Sequence, residues 1–312
     1  MMSVSFEASH FTQLILCPTC GNRLRFNAGT RLCCDKPHGA TIHNDIIRYR
    51  PDISSQEMAT RDLQAEGYLR HTKFPTQIDR MRRFITQLPR ATRPVLDLGC
   101  GPGPTTQLLS EKGFDIIAVD FSMRSLELNK AKSALFVQAD LNDIRFVKDS
   151  VDGLMMADFL QHLGGLEVQQ GFLHRTFEAL ASGGWFFLSC FNANLKNWLR
   201  RDIDGSFGSG RIRYLRLTPA RLLKMLPSSV QVESVRLMNI FHQPFLDKIA
   251  VRFPLARFVA RMIVVTGRKL YQVPAASDDV ASPKINNVGC ITSEPNEAAL
   301  RSSSLRCYHI QR

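Results

Sequence analysis

The residues best suited to hold a small charged ligand lie in one run, Val95–Gly103, where an aliphatic stretch around Asp97 changes into a glycine-rich loop. An aliphatic stretch of this kind predicts a strand buried on both faces of a parallel sheet. Glycine occupies every second position of the loop, at Gly99, Gly101 and Gly103. Glycine lets a backbone turn sharply and approach a ligand without interference from a Cβ atom. The apolar-periodic segment Thr105–Leu109 follows, so we expect a helix N-terminus to face the same ligand.

The glycine spacing distinguishes between two kinds of cofactor. A dinucleotide fingerprint requires G-x-G-x-x-G, and counting from Gly99 its third glycine would fall at Pro104. The pattern present is D-x-G-x-G-x-G, and it resembles motif I of the class I S-adenosylmethionine (SAM) methyltransferases. In that family the loop surrounds the methionine part of SAM, and the acid helps to hold its amino group. The resemblance therefore assigns Asp97, the three glycines and Cys100 to a SAM site. A tight strand–helix turn without a ligand is the alternative.

A second acid follows a second predicted strand. Ile116–Val119 is apolar and ends at Asp120, about twenty residues after the loop, where an acid meets ribose hydroxyls in doubly wound folds. The resemblance implies the same role for Asp120, whose two oxygens would accept hydrogen bonds from both hydroxyls. It also adds Phe121 to the cofactor site and places Met123 near the adenine.

A third strand is predicted in the segment Phe136–Leu141. In the family, the acid at the end of this strand accepts a hydrogen bond from the adenine exocyclic amine, and the next backbone amide meets a ring nitrogen. The resemblance assigns these roles to Asp140 and Leu141. A helix N-cap or a turn residue is the alternative for Asp140.

A fourth strand, Asp152–Ala157, leads into Asp158–Leu163, which resembles the family's fourth motif. In the family this loop lies under the transferable methyl group, which adds Asp158 to the predicted cofactor site. His162 is a candidate general base for the methyl acceptor, because the ordinary pKa of histidine is near neutrality. The alternative is that His162 caps or packs a helix beside the cofactor.

Residues at metal-ligand spacing lie near the N-terminus. Cys17 and Cys20 are two residues apart, and Cys33, Cys34 and His38 follow. Three thiolates and one imidazole satisfy tetrahedral zinc. The three-residue spacer before His38 favours Cys34 as the third ligand, and ligation by Cys33 is the alternative. Disulfides are a poorer explanation because no export signal precedes the segment, so we expect a reducing cytoplasm.

This N-terminal segment resembles two known zinc domains. One is the N-terminal zinc domain of the large-subunit ribosomal RNA guanine-N1 methyltransferases, which also uses three cysteines and a histidine. The other is the small zinc-ribbon activator subunit of RNA and protein methyltransferases. A ribbon of about fifty residues cannot build a large core, so we expect Zn2+ to be structural and to supply much of its folding energy.

Charge indicates the kind of partner. The chain has 312 residues and a formal net charge of +12. Much of the excess lies in residues 191–271, which contain fifteen basic and four acidic residues. A basic surface attracts RNA, anionic lipid or a phosphorylated metabolite, although a solvated arginine-rich face is the alternative. No run of eighteen apolar residues exists, so no transmembrane span is expected.

The elements that position these residues predict an α/β fold, with a Rossmann-like sheet of seven strands, mostly parallel, whose last strand is antiparallel. Residues 58–88 read as helical with an interruption at Pro75, and such leading helices cover the SAM pocket in the family. Val230–Met238 and Met262–Thr266 are expected to be the final strands. The predicted domains are a zinc ribbon (1–52), a helical lead (53–92), the methyltransferase domain (93–273) and a disordered tail (274–312).

Three functions agree with these features. The first is SAM-dependent methyl transfer by in-line displacement to a small-molecule acceptor, including an anionic one. The second is methylation of a ring nitrogen in ribosomal or transfer RNA, with the ribbon and the basic segment contacting phosphates. The third is a regulatory protein that binds SAM without catalysis. The oligomeric state is not predicted.

Overall fold

The structure is a computed structural model that describes residues 12–27, 31–33, 40–50, 56–70, 75–207, 212–238 and 258–271. The strands of this part of the chain are β1 (Ile15–Leu16), β2 (Arg25–Asn27), β3 (Arg31–Cys33), β4 (Thr41–His43), β5 (Ile46–Arg48), β6 (Val95–Leu98), β7 (Ile116–Asp120), β8 (Ala134–Gln138), β9 (Arg145–Phe146), β10 (Val151–Ala157), β11 (Leu180–Phe191), β12 (Asp204–Phe207), β13 (Ile212–Leu215), β14 (Val230–Met238) and β15 (Met262–Lys269). The α-helices are α1 (Gln56–Arg70), α2 (Pro75–Gln87), α3 (Pro104–Glu111), α4 (Met123–Leu128), α5 (Leu166–Ala179), α6 (Leu195–Leu199) and α7 (Pro219–Met225), and a 3-10 helix covers Leu160–His162.

Five parallel strands form the centre of the large sheet, in the order β11-β10-β6-β7-β8. Their aliphatic residues alternate between two apolar clusters, so that Leu96 and Leu98 lie in one and Val95 lies in the other. Strand β15 continues the sheet beyond β11 and pairs antiparallel with both β11 and β14. The predicted α/β class, the parallel centre and the antiparallel last strand are confirmed.

The predicted count of seven strands is wrong, because the large sheet has eleven among the described residues. Strand β5 pairs parallel with β8, with Ile46 opposite Phe136, and β4, β3 and β2 extend the sheet by antiparallel pairing. An uncovered β8 would expose a row of unpaired backbone groups at the sheet edge. The apolar Ile46 and Ile47 cover that edge and are themselves buried. The N-terminal strands therefore continue the central sheet.

The segment before β2 also packs against the main core. Strand β1 pairs antiparallel with β9. The buried Tyr49 donates a hydrogen bond from its hydroxyl to the backbone oxygen of Leu16, at 2.7 Å. Ile15, Leu24 and Tyr49 belong to the same apolar cluster as Leu96 and Leu98 of β6. The burial of these side chains joins the N-terminal segment to the core of the large sheet.

The predicted helical lead consists of α1 and α2, and α2 begins at Pro75. Proline suits the first turn of a helix, since the amide that it lacks has no intrahelical partner there. Met81 and Ile85 of α2 are buried in the cluster that also contains Val95. None of the helices that the structure describes is long and apolar enough to cross a membrane. The predicted disordered tail, 274–312, lies outside the described residues.

A hairpin formed by β12 and β13 lies apart from the large sheet. It was not predicted from the sequence, because its first strand, Asp204–Phe207, contains a single large apolar residue. The helix that follows does begin as the sequence indicates. Thr218 is its N-cap, with the side-chain oxygen accepting a hydrogen bond from the Arg221 amide, and Pro219 is its first residue.

Candidate functional site

The site is centred on Asp97, which lies in the middle of the sheet between Ala118 of β7 and Met155 of β10. Its side chain is 1% exposed, and Oδ2 accepts a hydrogen bond from the Thr106 hydroxyl at 2.7 Å. The Thr106 hydroxyl in turn accepts from the Asn129 amide at 2.9 Å. Burial raises the pKa of Asp97 to about 7, the Thr106 hydrogen bond opposes the rise, and the nearby Asp120 adds to it.

The three glycines of the loop have left-handed backbone conformations, with φ between 55° and 96°. A Cβ atom at Gly99 would lie 2.7 Å from the ring of Phe159, and one at Gly103 would lie 2.2 Å from the side chain of Asn129. Packing therefore requires glycine at both positions. Gly101 differs, because a Cβ there would meet no atom within 4 Å. The open space beside Gly101 is where a ligand can approach the backbone.

Asp120 connects this loop to the next strand. Its two carboxylate oxygens accept hydrogen bonds from the amides of Gly101 and Ser122, both at 2.8 Å. Burial raises its pKa, and these amide hydrogen bonds oppose the rise. Each carboxylate oxygen has a second lone pair, so the group keeps capacity for two further donors.

Helix α1 is fixed next to Asp120 by its own acidic residues. Asp62 accepts hydrogen bonds from the Ser122 hydroxyl at 2.5 Å and from the Arg124 amide at 3.1 Å. Glu66 pairs with the Arg124 guanidinium at 2.5 Å. These contacts hold α1 against the start of α4.

A cleft at the end of β8 brings together Phe121 and Asp140, two of the predicted cofactor residues. Tyr49, Arg50 and Met58 also line it, so the N-terminal segment and α1 both contribute to its wall. The rest of its lining is Gln138, Ala139 and Asp143. The cleft lies beyond the carboxyl end of a parallel strand, the position at which open α/β sheets bind their ligands.

Asp140 has a structural role in addition to any ligand role. Its Oδ1 accepts a hydrogen bond from the Asn142 amide at 2.8 Å, which makes it a turn residue, as the alternative interpretation held. The other carboxylate oxygen of Asp140 is not used by this turn.

Three further predicted cofactor residues lie near these strands. The Leu141 side chain is buried in the core, which leaves only its backbone for a ligand. Met123 is the first residue of α4. The buried Cys100 lies in the loop with its amide bonded to the Val119 oxygen.

Asp158 directly follows β10 and has a left-handed conformation, with φ of 61°. Its Oδ1 accepts a hydrogen bond from the Gln161 amide at 2.9 Å, and burial raises its pKa to about 7. A non-glycine residue with positive φ is uncommon and marks a backbone held by its surroundings, often at a functional site. The structure therefore places Asp158 and the 3-10 helix of His162 in one constrained turn.

His162 lies between two aromatic rings, with its ring centroid 5.9 Å from that of Phe191 and 5.5 Å from that of Phe207. Its Nδ1 is 2.7 Å from the Arg213 backbone oxygen. A carbonyl oxygen only accepts, so Nδ1 carries the proton and Nε2 keeps a lone pair in the neutral ring. Burial lowers the pKa of His162 to about 4, and the positive charge of Arg61 lowers it further. The imidazole is therefore neutral at pH 7.

The hairpin completes an aromatic wall on the same side of the site. Tyr214 stacks on Phe207 with ring centroids 5.8 Å apart, and the Arg216 guanidinium lies over the rings of Phe191 and Tyr214 at 5.1 and 4.7 Å. Asp202 accepts a hydrogen bond from the Tyr214 hydroxyl and pairs with Arg216. We call His162, Phe191, Phe207, Tyr214 and Arg216 the aromatic wall.

Sequence reasoning missed the polar residues that support the predicted site. Thr106 and Asn129 hold Asp97, Asp62 holds the loop after β7, and Gln161 holds Asp158. A polar residue in the first turn of an apolar helix is a weak signal for Thr106. Nothing in the spacing indicates the others, because their partners are far away in the sequence or belong to common turns.

The predicted zinc ligands are only partly within the described residues. Cys17 is buried and Cys20 is exposed, and the turn between them is closed by a hydrogen bond from the Gly21 amide to the Cys17 oxygen at 3.0 Å. The side chain of Cys33 and both Cys34 and His38 lie outside the described residues. The part of the chain that is described contains no group of three or more metal-ligating side chains. Zinc binding by Cys17, Cys20, Cys34 and His38 stays a prediction.

Curated relatives of known function match the chain over part of its length. A ubiquinone biosynthesis O-methyltransferase from Idiomarina loihiensis is 25% identical over 163 residues, which cover 48% of this chain and 65% of the relative. A ribosomal RNA large subunit methyltransferase E from Granulibacter bethesdensis is 25% identical over 199 residues, which cover 56% of this chain and 83% of the relative. The chain thus spans less than two thirds of the first of these proteins.

A solved structure resembles the fold. It is a phosphoethanolamine N-methyltransferase 2 from Haemonchus contortus, in complex with phosphomonomethylethanolamine and S-adenosylhomocysteine, with a TM-score of 0.53 and 14% identity. The alignment covers 70% of this chain and 61% of that one. A family model described as a methyltransferase domain matches residues 68–247, which is more than half of the chain and includes the glycine loop, Asp120, Asp158 and His162. The chain therefore belongs to the methyltransferase-domain family.

Proposed function

We propose that this protein transfers a methyl group from SAM to a small-molecule acceptor bound against the aromatic wall. The observation that carries the proposal is the pair of carboxylates on neighbouring parallel strands. Asp97 of β6 is buried and Asp120 of β7 is half-buried at the glycine loop, and Asp120 accepts a hydrogen bond from the Gly101 amide at 2.8 Å. A buried and a half-buried carboxylate beside an open backbone suit a ligand with a cation at one end and hydroxyl donors at the other.

The residues present fit SAM in the donors and acceptors that they offer. Asp97 accepts one hydrogen bond from Thr106 and has a second oxygen for an ammonium group. Asp120 has lone pairs left for two ribose hydroxyls, and Asp140, beside Phe121, keeps one carboxylate oxygen for the exocyclic amine of the adenine. The raised pKa of Asp97 is what a carboxylate that lacks its cationic partner should have. When bound, SAM supplies an activated methyl group on a sulfonium, which an acceptor displaces in line.

The residues around His162 would bind and orient the acceptor. The neutral imidazole presents Nε2 as a base, because Nδ1 donates to the Arg213 oxygen. The rings of Phe191, Phe207 and Tyr214 form an apolar wall that excludes water and suits a planar or apolar acceptor. The ubiquinone biosynthesis O-methyltransferase among the relatives supports an acceptor of this kind. A hydroxyl proton would pass from the acceptor to His162 Nε2 as the methyl group is transferred.

RNA methylation is the second candidate, and two observations favour it. Exposed Arg200, Arg201 and Arg213 lie around the hairpin, and the relative from Granulibacter bethesdensis is a ribosomal RNA methyltransferase. Three exposed cations near the predicted acceptor side suit phosphate contacts. The small molecule is preferred because the aromatic wall is half-buried and stabilised by internal contacts of Asp202, which leaves it less suited to splayed bases.

The test begins with cofactor binding and continues with a search for the acceptor. Titration calorimetry with SAM should give saturable binding by the native protein and none by Asp120→Ala, while Asp115→Asn, an exposed acid outside the site, should bind normally. Methyl-labelled SAM is then incubated with the protein and a cell extract, and RNA, protein and low-mass fractions are separated. Label in the low-mass fraction supports the proposal, and label in RNA supports the second candidate. SAM binding without any labelled fraction would favour a regulatory protein.

A further inference from the structure

Helix α6 buries its only asparagine and its N-cap asparagine, and it exposes its apolar side chains. Asn194 and Asn197 form a capping box and are both buried. The Asn194 amide donates to the Ala260 backbone oxygen at 3.2 Å, and the Asn197 amide donates to Asp202 at 3.1 Å. Leu195, Trp198 and Leu199 face solvent, with 51%, 61% and 78% of their surfaces exposed. A globular helix normally buries its apolar face, so this inversion needs a partner that covers the apolar side chains.

Cations surround the exposed apolar side chains. Lys196, Arg200 and Arg201 are exposed, and none of them pairs with an acid among the described residues. The acid that follows, Asp202, is turned inward and bonded to Asn197, Tyr214 and Arg216. We call the exposed residues Leu195, Lys196, Trp198, Leu199, Arg200 and Arg201 the α6 patch. Positive charge and apolar surface therefore meet on one short, firmly held segment.

The composition of the α6 patch fits an anionic lipid surface. Tryptophan partitions to the boundary between headgroups and acyl chains, leucine to the acyl chains, and lysine and arginine to anionic headgroups. Nucleic acid would use the cations and could stack on Trp198, but it offers nothing apolar to cover Leu195 and Leu199. A protein partner with a matching acidic rim is the remaining occupant. We propose that the α6 patch docks the protein on an anionic lipid bilayer.

This docking is independent of the methyl transfer proposed above, because it rests on α6 and not on the cofactor residues. The hairpin that carries Phe207 and Tyr214 begins at Asp204, directly after the α6 patch. Docking would therefore place the acceptor side of the site near the bilayer. If the proposed transfer also holds, an amphiphilic acceptor would have a short path from the bilayer to the aromatic wall.

The first experiment is sedimentation of the full chain with vesicles of phosphatidylcholine alone and of equimolar phosphatidylcholine and phosphatidylglycerol. The native protein should bind the anionic vesicles and lose binding as salt rises. The triple variant Lys196→Gln, Arg200→Gln, Arg201→Gln should bind them on the order of 100-fold more weakly, following the contribution of one cation near an anionic leaflet. Leu199→Ser should bind roughly tenfold more weakly, because it loses one aliphatic side chain from the apolar surface.

Matched controls separate the α6 patch from general charge and apolar surface. The triple variant Arg82→Gln, Arg90→Gln, Lys130→Gln removes three exposed cations elsewhere and should bind as the native protein does. Val168→Ser removes an apolar side chain that is 44% exposed on α5 and should also bind normally. All variants should keep the native SAM affinity and melting temperature, which shows that they fold.

Tryptophan fluorescence is a second and direct test of whether Trp198 inserts into the bilayer. The chain has two tryptophans, of which Trp185 is buried and Trp198 exposed. Anionic vesicles should shift the emission to shorter wavelength and protect Trp198 from iodide, and Trp198→Phe should abolish both changes. The proposal would be overturned if the native protein did not bind vesicles, or if the control triple variant lost as much vesicle binding as the α6 triple variant. It would also be overturned if RNA or self-association protected Trp198 in the absence of lipid.

Discussion

At the scale of single residues, burying the Asp97 carboxylate without a cationic partner lowers the free energy of unfolding. The ammonium group of a bound ligand would supply that partner. A buried carboxylate without a cation favours the protonated form, which is why its pKa rises from 3.8 to about 7. The folded pKa therefore lies above the unfolded one. The resulting loss in the free energy of unfolding is absent below pH 4, grows as the pH rises towards 7, and is complete above pH 7.

Asp97→Asn should therefore stabilise the cofactor-free protein while weakening SAM binding. The free energy of unfolding should exceed that of the native protein by on the order of a few kcal/mol at pH 8, and by much less at pH 5. Urea unfolding at both pH values measures this, with Asp115→Asn as the exposed control. If Asp97→Asn were less stable than the native protein at pH 8, Asp97 would not be a destabilising buried carboxylate.

The same carboxylate makes SAM affinity depend on pH in the native protein. Below pH 7 Asp97 is protonated and no longer attracts an ammonium group, so the affinity should fall by up to about tenfold per pH unit. Calorimetry between pH 5 and 8 measures the change, and binding at pH 7 should release protons into the buffer. In Asp97→Asn the affinity should be weak and nearly independent of pH over this range.

His162 is the residue whose role the structure makes most specific. If Nε2 is the base, His162→Gln should lower kcat by about 100-fold to 10,000-fold while the Kd for SAM stays unchanged. In the pH profile of kcat/KM for SAM, the acid limb near 7 should remain, because it belongs to Asp97 of the free protein and not to an imidazole whose pKa is about 4. A variant with native kcat would leave His162 as a packing residue of the aromatic wall.

At the scale of elements, two glycines of the loop differ in the space around them: Gly103 packs against Asn129, and Gly101 faces open space. Gly103→Ala should destabilise the protein by about 1–3 kcal/mol, because its Cβ would lie 2.2 Å from Asn129 and its φ is 96°. The double variant Gly103→Ala, Asn129→Ala should recover part of this loss in urea unfolding. In Gly101→Ala the added Cβ would meet no atom within 4 Å, so its cost to stability comes only from the φ of 55° and should be smaller than that of Gly103→Ala. The added Cβ should lower SAM affinity, because it occupies the open space beside the loop.

The sequence was informative about the parallel strands and uninformative about the elements that cover them. Strands β6, β7 and β10 could be predicted because both faces are buried and their residues are continuously apolar. The pairing of β5 with β8 could not, because a short apolar segment does not reveal which remote edge it joins. The hairpin with Phe207 was missed because only one strand of it is apolar, and the aromatic wall was missed with it.

At the scale of the whole molecule, the N-terminal segment should unfold together with the central sheet. Ile47 is 1% exposed and belongs to the same apolar cluster as Leu96. Ile47→Ala should therefore lower the free energy of unfolding by about 2–5 kcal/mol, as should Leu96→Ala, and both should keep a single transition. Two separate transitions in urea, with only the first shifted by Ile47→Ala, would show instead that the segment unfolds alone.

Metal content tests the predicted zinc ligands independently of the sheet. Elemental analysis of the purified protein should give one zinc per chain, and Cys34→Ser should lose it. Cys33→Ser is the matched control and should retain the metal if Cys34 is the ligand. Loss of zinc in Cys33→Ser alone would show that Cys33 is the third ligand in place of Cys34. Absence of zinc from the native protein would show that the predicted zinc ribbon is wrong.

The pairing of β5 with β8 has a consequence for the order of events during synthesis. Arg48 and Gln138, which face each other across these strands, are separated by 90 positions in the chain. At the usual rate of translation, β5 therefore leaves the ribosome roughly 5–20 seconds before its partner exists. Throughout that interval Ile46 and Ile47 are exposed on a strand with one open edge. A nascent chain stalled before β8 should bind chaperones at β5 and release them once β8 has emerged.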